Sequence, residues 1–388
     1  MDKNRLFWKG LVFGLPLIWL SVFVMFFYSS QTLKAQAVIQ SPEVLVKVSS
    51  SSQVFSPIIL PPREKSIQKN VKGIYLTANS ANNTKKMDEI ISLINKTELD
   101  AVVIDIKDYT GYILYDSQIP IIKELKTKRV VLKNIPELIK KLHEQNIYVI
   151  ARQTVFQDPI LAEKKPAWAI KNKNGGIWHD KKGLAWVDSA RKDLWEYNVA
   201  IAKEIIALGF DEVNFDYVRF PTDGNMANAV IPGLSERNNA MSIFFNFLSE
   251  QLKDEPAYIS VDFFGLVMEN HTGMTIGQKI DTASDKVDYI SPMMYPSHYA
   301  NGHLGLKNPA ANPGVVIDNG MKKGSPLFVG KRAQVRPWLQ AFNIGAQYGA
   351  KNIRAQIDMV EKYPNAGWLL WNAANRYTTA GLKLEKKV

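Results

Sequence analysis

Cysteine is absent from all 388 residues. That excludes disulfide scaffolds, thiol nucleophiles, iron–sulfur clusters and cysteine-based zinc sites. The chain also lacks a GxGxxG turn, a GK[ST] phosphate loop, a GxSxG elbow and a helix with paired histidines, so the usual signatures of nucleotide, acyl-transfer and zinc chemistry are missing. Its five histidines show no zinc spacing, and neither a metal nor any other cofactor is expected. No nucleic-acid-binding module is recognisable, and nucleic acid is not an expected partner. What remains is a moderately basic chain, 48 Lys+Arg against 37 Asp+Glu for a net +11, with 46% apolar residues. That is the composition of a folded protein with a sizeable core, not of a disordered one. Oligomeric state is not legible in it.

One long apolar run exists. Gly10 to Leu33 carries no charge, and a helix of roughly 20 such residues crosses a hydrocarbon core. Lys3, Arg5 and Lys9 precede it against a single Asp2, so the positive-inside bias places residues 1–9 in the cytoplasm and the remainder outside. The expectation is a signal-anchor at 10–33, with the membrane as a partner through that helix. The competing expectation is cleavage at Ala35-Gln36-Ala37, which would release a secreted protein. Residues 34–70, with the run Ser49–Ser52 and Pro42, Pro57, Pro61 and Pro62, read as a Ser/Pro linker. The working domain is expected at 71–388.

From Val71 short apolar runs alternate with amphipathic stretches, the pattern of parallel βα units. Strands are expected at Lys72–Thr77, Ala101–Lys107, Ile147–Val155, Glu212–Phe220, Tyr258–Gly265, Tyr289–Tyr295, Arg332–Trp338 and Gly367–Asn372. Helices are expected between them, at Met87–Lys96, Pro136–Gln145, Lys192–Leu208, Glu236–Leu252, Thr275–Ser284, Gly314–Lys322 and Lys351–Tyr363. Eight such units predict an α/β chain folded as a (β/α)8 barrel. The alternative, a doubly wound open sheet, usually carries a glycine-rich turn after its first strand, where this chain reads Leu76-Thr77-Ala78-Asn79.

A barrel keeps its site at the carboxyl ends of its strands. Polar and aromatic residues gather there: Asp105 and Lys107, Arg152, Asn214 with Asp216 and Arg219, Asp262, Tyr295 with His298, Arg336, and Trp371 with Asn372. Asp216 and Asp262 fall at matching places on neighbouring strands, which lie roughly 4.8 Å apart. Such a pair can flank one glycosidic bond, one acid protonating the leaving oxygen while the other attacks or activates water. Arg219 is expected to keep Asp216 ionised. The others are expected to bind substrate, and Trp168, Trp178 and Trp186 in the connection after the third strand suit the apolar faces of sugars. The structural alternatives are an Asp216–Arg219 ion pair and ordinary core tryptophans. Lysine clusters at Lys123–Lys133 and Lys164–Lys182 suit an anionic polymer or simply a solvated face.

The run Gly209-Phe210-Asp211-Glu212-Val213-Asn214-Phe215-Asp216-Tyr217-Val218-Arg219-Phe220-Pro221 resembles the hallmark of a bacterial family of uncharacterised glycoside hydrolases. The likeness continues through Ile104-Asp105-Ile106-Lys107-Asp108, Asp262-Phe263-Phe264-Gly265, Met294-Tyr295-Pro296-Ser297-His298-Tyr299 and Trp368-Leu369-Leu370-Trp371-Asn372. This resemblance implies an α-amylase-like (β/α)8 barrel, with Asp216 in the place of the nucleophile and Asp262 in that of the proton donor. The chain departs from that pattern in offering Asp where the fifth strand usually offers Glu, and in lacking an acid on the seventh. A chitinase-like DGxDxDxE run keeps Asp211 and Asp216 but has Asn214 for its middle Asp and Val218 for the catalytic Glu. The expected function is therefore a membrane-anchored, extracytoplasmic hydrolase of O-glycosidic bonds, with a poly- or oligosaccharide as its partner. The alternatives are a non-catalytic carbohydrate-binding barrel and an envelope protein with a vestigial site.

Overall fold

The computed structural model describes residues 70–385 apart from Gly233. Eight parallel strands form the framework: β1 Val71–Leu76, β2 Ala101–Lys107, β3 Tyr148–Thr154, β4 Glu212–Asp216, β5 Tyr258–Phe264, β6 Tyr289–Met294, β7 in two pieces at Gln334–Val335 and Trp338–Gln340, and β8 Gly367–Trp371. Each pairs with the next, and β1 pairs with both β2 and β8, so the sheet closes. Closure removes the edges of an open doubly wound sheet. Gly367 opens β8 with a φ of +91°, and a Cβ there would stand 1.9 Å from the Val71 carbonyl oxygen. Only glycine admits so close an approach at the seam.

The helices on the outside follow the expected amphipathic stretches. Thr84–Ile94, Ile135–His143, Lys192–Ala207, Arg237–Leu252, Pro313–Gly324 and Ala350–Val360 each cover the sheet. Alternation along the strands divides the core in two. Val213, Phe215, Val261 and Phe263 face outward into the layer between sheet and helices. Tyr75, Val103, Ile150, Tyr258, Tyr289, Trp338 and Leu369 face inward and fill the barrel. Burying each large apolar side chain contributes roughly 1.5–3 kcal/mol, so both layers hold the strands in register.

Three elements differ from expectation. β4 stops at Asp216 because Tyr217 adopts φ +55° and turns the chain out of the sheet. β7 is interrupted at Arg336-Pro337, since proline has no N–H to give to the ladder. The helix expected over Thr275–Ser284 shrinks to Ile280–Ala283, because Met274, Thr275 and Gly277 all take positive φ. Between β2 and β3 an insertion adds short strands at Ile113–Tyr115 and Lys128–Leu132. Lys171–Asn172, after β3, pairs with Ala229–Val230, after β4, so these two loops are clasped together. No helix among the described residues is long and apolar enough to cross a membrane. The span expected at Gly10–Leu33 and the linker after it lie outside the described residues.

Candidate active site

The strand registers place side chains at the carboxyl end of the barrel. Asp105 aligns with Arg152, Arg152 with Asn214, and Thr154 with Asp216. Phe215 aligns with Val261, so Asp216 and Asp262 are the next residues along on their two strands. The network of contacts that results is centred on the guanidinium of Arg152. Its Nη1 donates to Asp105 Oδ1 at 2.6 Å, and its Nε to Asp216 Oδ2 at 3.0 Å. Nη2 donates to the same Asp216 oxygen, and Nε lies 3.9 Å from Asp262 Oδ2. Above it, Tyr75 and Trp371 stack with ring centroids 3.8 Å apart. The guanidinium carbon sits 5.0 Å from the Trp371 ring and 5.7 Å from the Tyr75 ring, within cation–π range.

The carboxyl groups differ in their surroundings. Asp216 Oδ2 takes Arg152, and its Oδ1 accepts the backbone N–H of Tyr217 at 2.6 Å, which the left-handed turn aims back at it. Among the described residues Asp262 receives no hydrogen bond from a cation, Arg152 Nε standing 3.9 Å off its Oδ2. Its Oδ1 accepts the Asn214 amide and the Trp338 indole N–H, both at 2.8 Å. Burial and the negative charge of Asp216 push its pKa up to about 8, against the opposing pull of Arg152 and the two donors. Asp262 therefore keeps its proton at neutral pH, with Oδ2 the oxygen left free of the two donors to Oδ1. Asp105 is also raised by burial, offset by Arg152 and by the Tyr75 hydroxyl, which donates to Oδ2 at 2.5 Å. Among the described residues no group of His, Asp or Glu is arranged to hold a metal ion.

The structure thus brings together Asp105, Arg152, Asn214, Asp216, Asp262 and Trp371, with Tyr295 buried beside them. Others fall elsewhere. Arg219 does not pair with Asp216; the turn at Tyr217 carries it away, and Arg152 takes that place. Lys107 is fully buried, bound to Asp158 and the Thr154 carbonyl oxygen, both at 2.7 Å, where a register shift in β2 turns it aside. Arg336 lies at the opposite end of the barrel, fully buried against Glu212 and over the Tyr289 ring. The Asn372 amide staples loops by donating to the carbonyl oxygens of Ala341 and Arg376. His298 is exposed at the rim with its ring against Tyr295 and Phe342.

Trp168, Trp178 and Trp186 are 4%, 3% and 1% exposed. They are the core of the clasped loops rather than a sugar platform, and the indole N–H groups of Trp178 and Trp186 are spent on the Asn225 carbonyl oxygen and Asp180. Sequence reasoning passed over Tyr75 and Trp338, which complete the cluster. Their signal was the inward phase of β1 and β7, two residues apart from other inward positions. The third carboxyl group at the site comes from β2, as Asp105, rather than from β7.

The sequence model of a family described as "Putative glycosyl hydrolase domain" matches residues 73–377. A hypothetical protein from Ruminiclostridium thermocellum ATCC 27405 is 37% identical over 49% of this chain and 96% of that one, with a TM-score of 0.46. The glycoside hydrolase domain of PgaB (BpsB) from Bordetella bronchiseptica is 11% identical over 78% of this chain and 94% of that one, with a TM-score of 0.57. At that identity the likeness is one of fold. The comparison with curated proteins gives no match.

Proposed function

Because the chain belongs to the family of glycosyl hydrolase domains whose sequence model spans residues 73–377, we propose that Asp216 and Asp262 cleave an O-glycosidic bond of a cell-envelope or extracellular polysaccharide. The observation that carries this reading is the contrast between two neighbouring acids. Asp216 is hydrogen-bonded to a guanidinium, whereas Asp262, which that guanidinium only approaches to 3.9 Å, is buried beside the Asp216 charge and keeps its proton. An ionised carboxylate beside a protonated one is the pairing that glycoside cleavage requires.

In the first step Asp262 Oδ2 gives its proton to the leaving oxygen as the bond from that oxygen to the anomeric carbon breaks. Asp216 closes on the same carbon and forms a glycosyl ester. Water then adds to that carbon, losing a proton to Asp262 and releasing Asp216. Both Oδ2 atoms are near Arg152 Nε, at 3.0 and 3.9 Å. They stand at most about 7 Å apart, a limit that admits the roughly 5–5.5 Å of direct attack and lies below most of the roughly 6.5–9.5 Å range that inversion uses to seat a water. Retention of configuration is the outcome this supports.

A second reading is favoured by burial: Asp216 is 5% exposed and Asp262 1%. A barrel that binds saccharide without cleaving it would keep its acids sealed in this way. Incubating the protein with a polysaccharide panel, and following the first-formed anomer by proton NMR, separates the readings. Binding without release of reducing ends would reject hydrolysis, and the inverted anomer would reject the double displacement.

We place the barrel outside the cytoplasmic membrane, held by Gly10–Leu33, on the strength of the apolar run and its flanking charges. Amino-terminal sequencing of the mature protein that starts at Val38 would show cleavage instead.

A further inference from the structure

Arg219 is 9% exposed, yet its charge has no acid in contact. Its guanidinium carbon lies 4.8 Å from the Trp186 ring, 5.5 Å from Tyr217 and 4.7 Å from Phe264. Its one hydrogen bond among the described residues runs from Nη1 to the Phe220 carbonyl oxygen at 3.0 Å. A guanidinium carries five N–H donors, so most of this one's capacity is unused within the described residues. A buried cation without a partner is costly, and burial pushes the Arg219 pKa down. The nearby acids are committed or stand off. Asp216 serves Arg152, while Asp180 accepts the Trp186 indole N–H and the backbone N–H groups of Lys182 and Leu184. Asp223 is in electrostatic range and forms no ion pair with Arg219.

The position matters as much as the charge. Tyr217 directly follows Asp216, and Phe264 lies two residues beyond Asp262 on β5, in the same inward phase. Arg219 is therefore held at the carboxyl ends of β4 and β5, against the rings of the residue that follows Asp216 and of the residue two beyond Asp262. Lys182 is exposed on the turn that Asp180 ties down, and its charge is felt by His298. Three cationic or protonatable groups thus come from the loops after β3, β4 and β6 at the carboxyl end of the barrel, and none forms an ion pair with an acid among the described residues.

We propose that the saccharide accepted here carries an anionic substituent, a carboxylate, sulfate or phosphate, which Arg219 receives, with Lys182 and His298 on the facing rim. This rests on the saccharide-processing reading of the same site and names the class of substrate. The anion supplies the acceptors that Arg219 lacks, and the aromatic cage keeps the guanidinium plane fixed while it waits.

The test is calorimetric titration of the full chain with matched oligosaccharides. Oligogalacturonate and its methyl ester probe a carboxylate, a carrageenan oligosaccharide and its desulfated form probe a sulfate, and 6-phosphoryl maltohexaose and maltohexaose probe a phosphate. One anionic member is expected to bind ~10-fold or more tightly than its neutral counterpart, as a charge-assisted hydrogen bond provides. Arg219→Gln should abolish that preference and spare neutral binding, Arg219→Lys should keep part of it, and Lys182→Ala, on an exposed turn, should lower it. Equal binding of charged and neutral members, no binding of any member, or a preference that survives Arg219→Gln would overturn the proposal. Because binding is read rather than turnover, Arg219-dependent binding without cleavage would reject hydrolysis and leave this inference standing. Cleavage of neutral glycans unaffected by Arg219→Gln would do the reverse.

Discussion

Arg152 and Asp216 form a two-donor contact on a single oxygen, with Nε and Nη2 both directed at Oδ2. The partners come from adjacent strands, and the arrangement leaves the Asp216 side facing Asp262 rather than facing solvent. Its energetic meaning follows from burial. Arg152 is 5% exposed and Asp216 5%, so neither charge can fall back on water if the other is removed.

Replacing Arg152 by Met should therefore destabilise the barrel by about 3–5 kcal/mol, the usual cost of stranding a buried charge. Two carboxyl groups, Asp105 and Asp216, lose their cation together. Arg152→Lys keeps the charge but not the fork, and should recover part of the stability while turnover stays low. Urea titration of the two variants checks the order. Equal stability of Arg152→Met and the parent would show that the contact contributes nothing.

Asp216→Asn should lower turnover by about three orders of magnitude or more while saccharide binding persists, since it removes the attacking charge and little else. The comparison is of kcat with the dissociation constant on a confirmed substrate. Unchanged kcat in a folded Asp216→Asn protein would remove Asp216 from the chemistry.

The proton on Asp262 sets a pH limit. Activity should fall as pH rises through about 8, where that proton is lost. Asp262→Asn should abolish this limb together with most of the activity, and aryl glycosides with good leaving groups should partly escape the loss. A profile of kcat/KM that stays flat to pH 10 would contradict the assignment.

The same group affects stability. In the unfolded chain an aspartate titrates near ~3.9, whereas Asp262 in the barrel holds its proton to about 8. Between those values the native state binds the extra proton, so stability is highest below the lower value and declines as pH rises to the upper one. Thermal unfolding across that window should show a shallower decline for Asp262→Asn than for the parent. Parallel slopes would mean that Asp262 is ionised in the folded protein.

The fragment Val71–Val388 should fold without what precedes it. The closing pair of β1 with β8 begins at Val71, whose N–H donates to the Ala366 carbonyl oxygen at 3.1 Å. A fragment without a cooperative unfolding transition would move the boundary toward the amino end.

The barrel was legible where local signals agreed. Ala101–Lys107 reads as a strand from its apolar run and is one, and Lys192–Ala207 reads as a helix from its apolar stripe. The Asp216–Asp262 register followed from alternation on neighbouring strands. What alternation could not supply was the turn at Tyr217: three residues of sequence separation suggested Arg219 as the partner of Asp216, but a single positive φ reversed that geometry. The true partner, Arg152, is 64 residues away and comes near only when the strands pair. The loop tryptophans misled for a related reason. Loop position implies exposure only if loops do not pack, and here Lys171–Asn172 and Ala229–Val230 join two of them over their own small core.

Under the double displacement proposed above, the shared guanidinium also makes the two acids into a clock. While Asp216 is charged, Arg152 is engaged by it, and Asp262 holds its proton against the combined effect of burial and a neighbouring negative charge. In the proposed double displacement, esterifying Asp216 to sugar removes that negative charge, and Arg152, still paired with Asp105, keeps its Nε 3.9 Å from Asp262 with one carboxylate fewer around it. The affinity of Asp262 for a proton drops at the moment it has given one away, leaving it ready to deprotonate the incoming water. Hydrolysis of the ester then returns the negative charge to Asp216, and the proton taken from the water resets Asp262 as the acid. The sequence of steps is timed by where one cation's field is spent, with no movement of the backbone required.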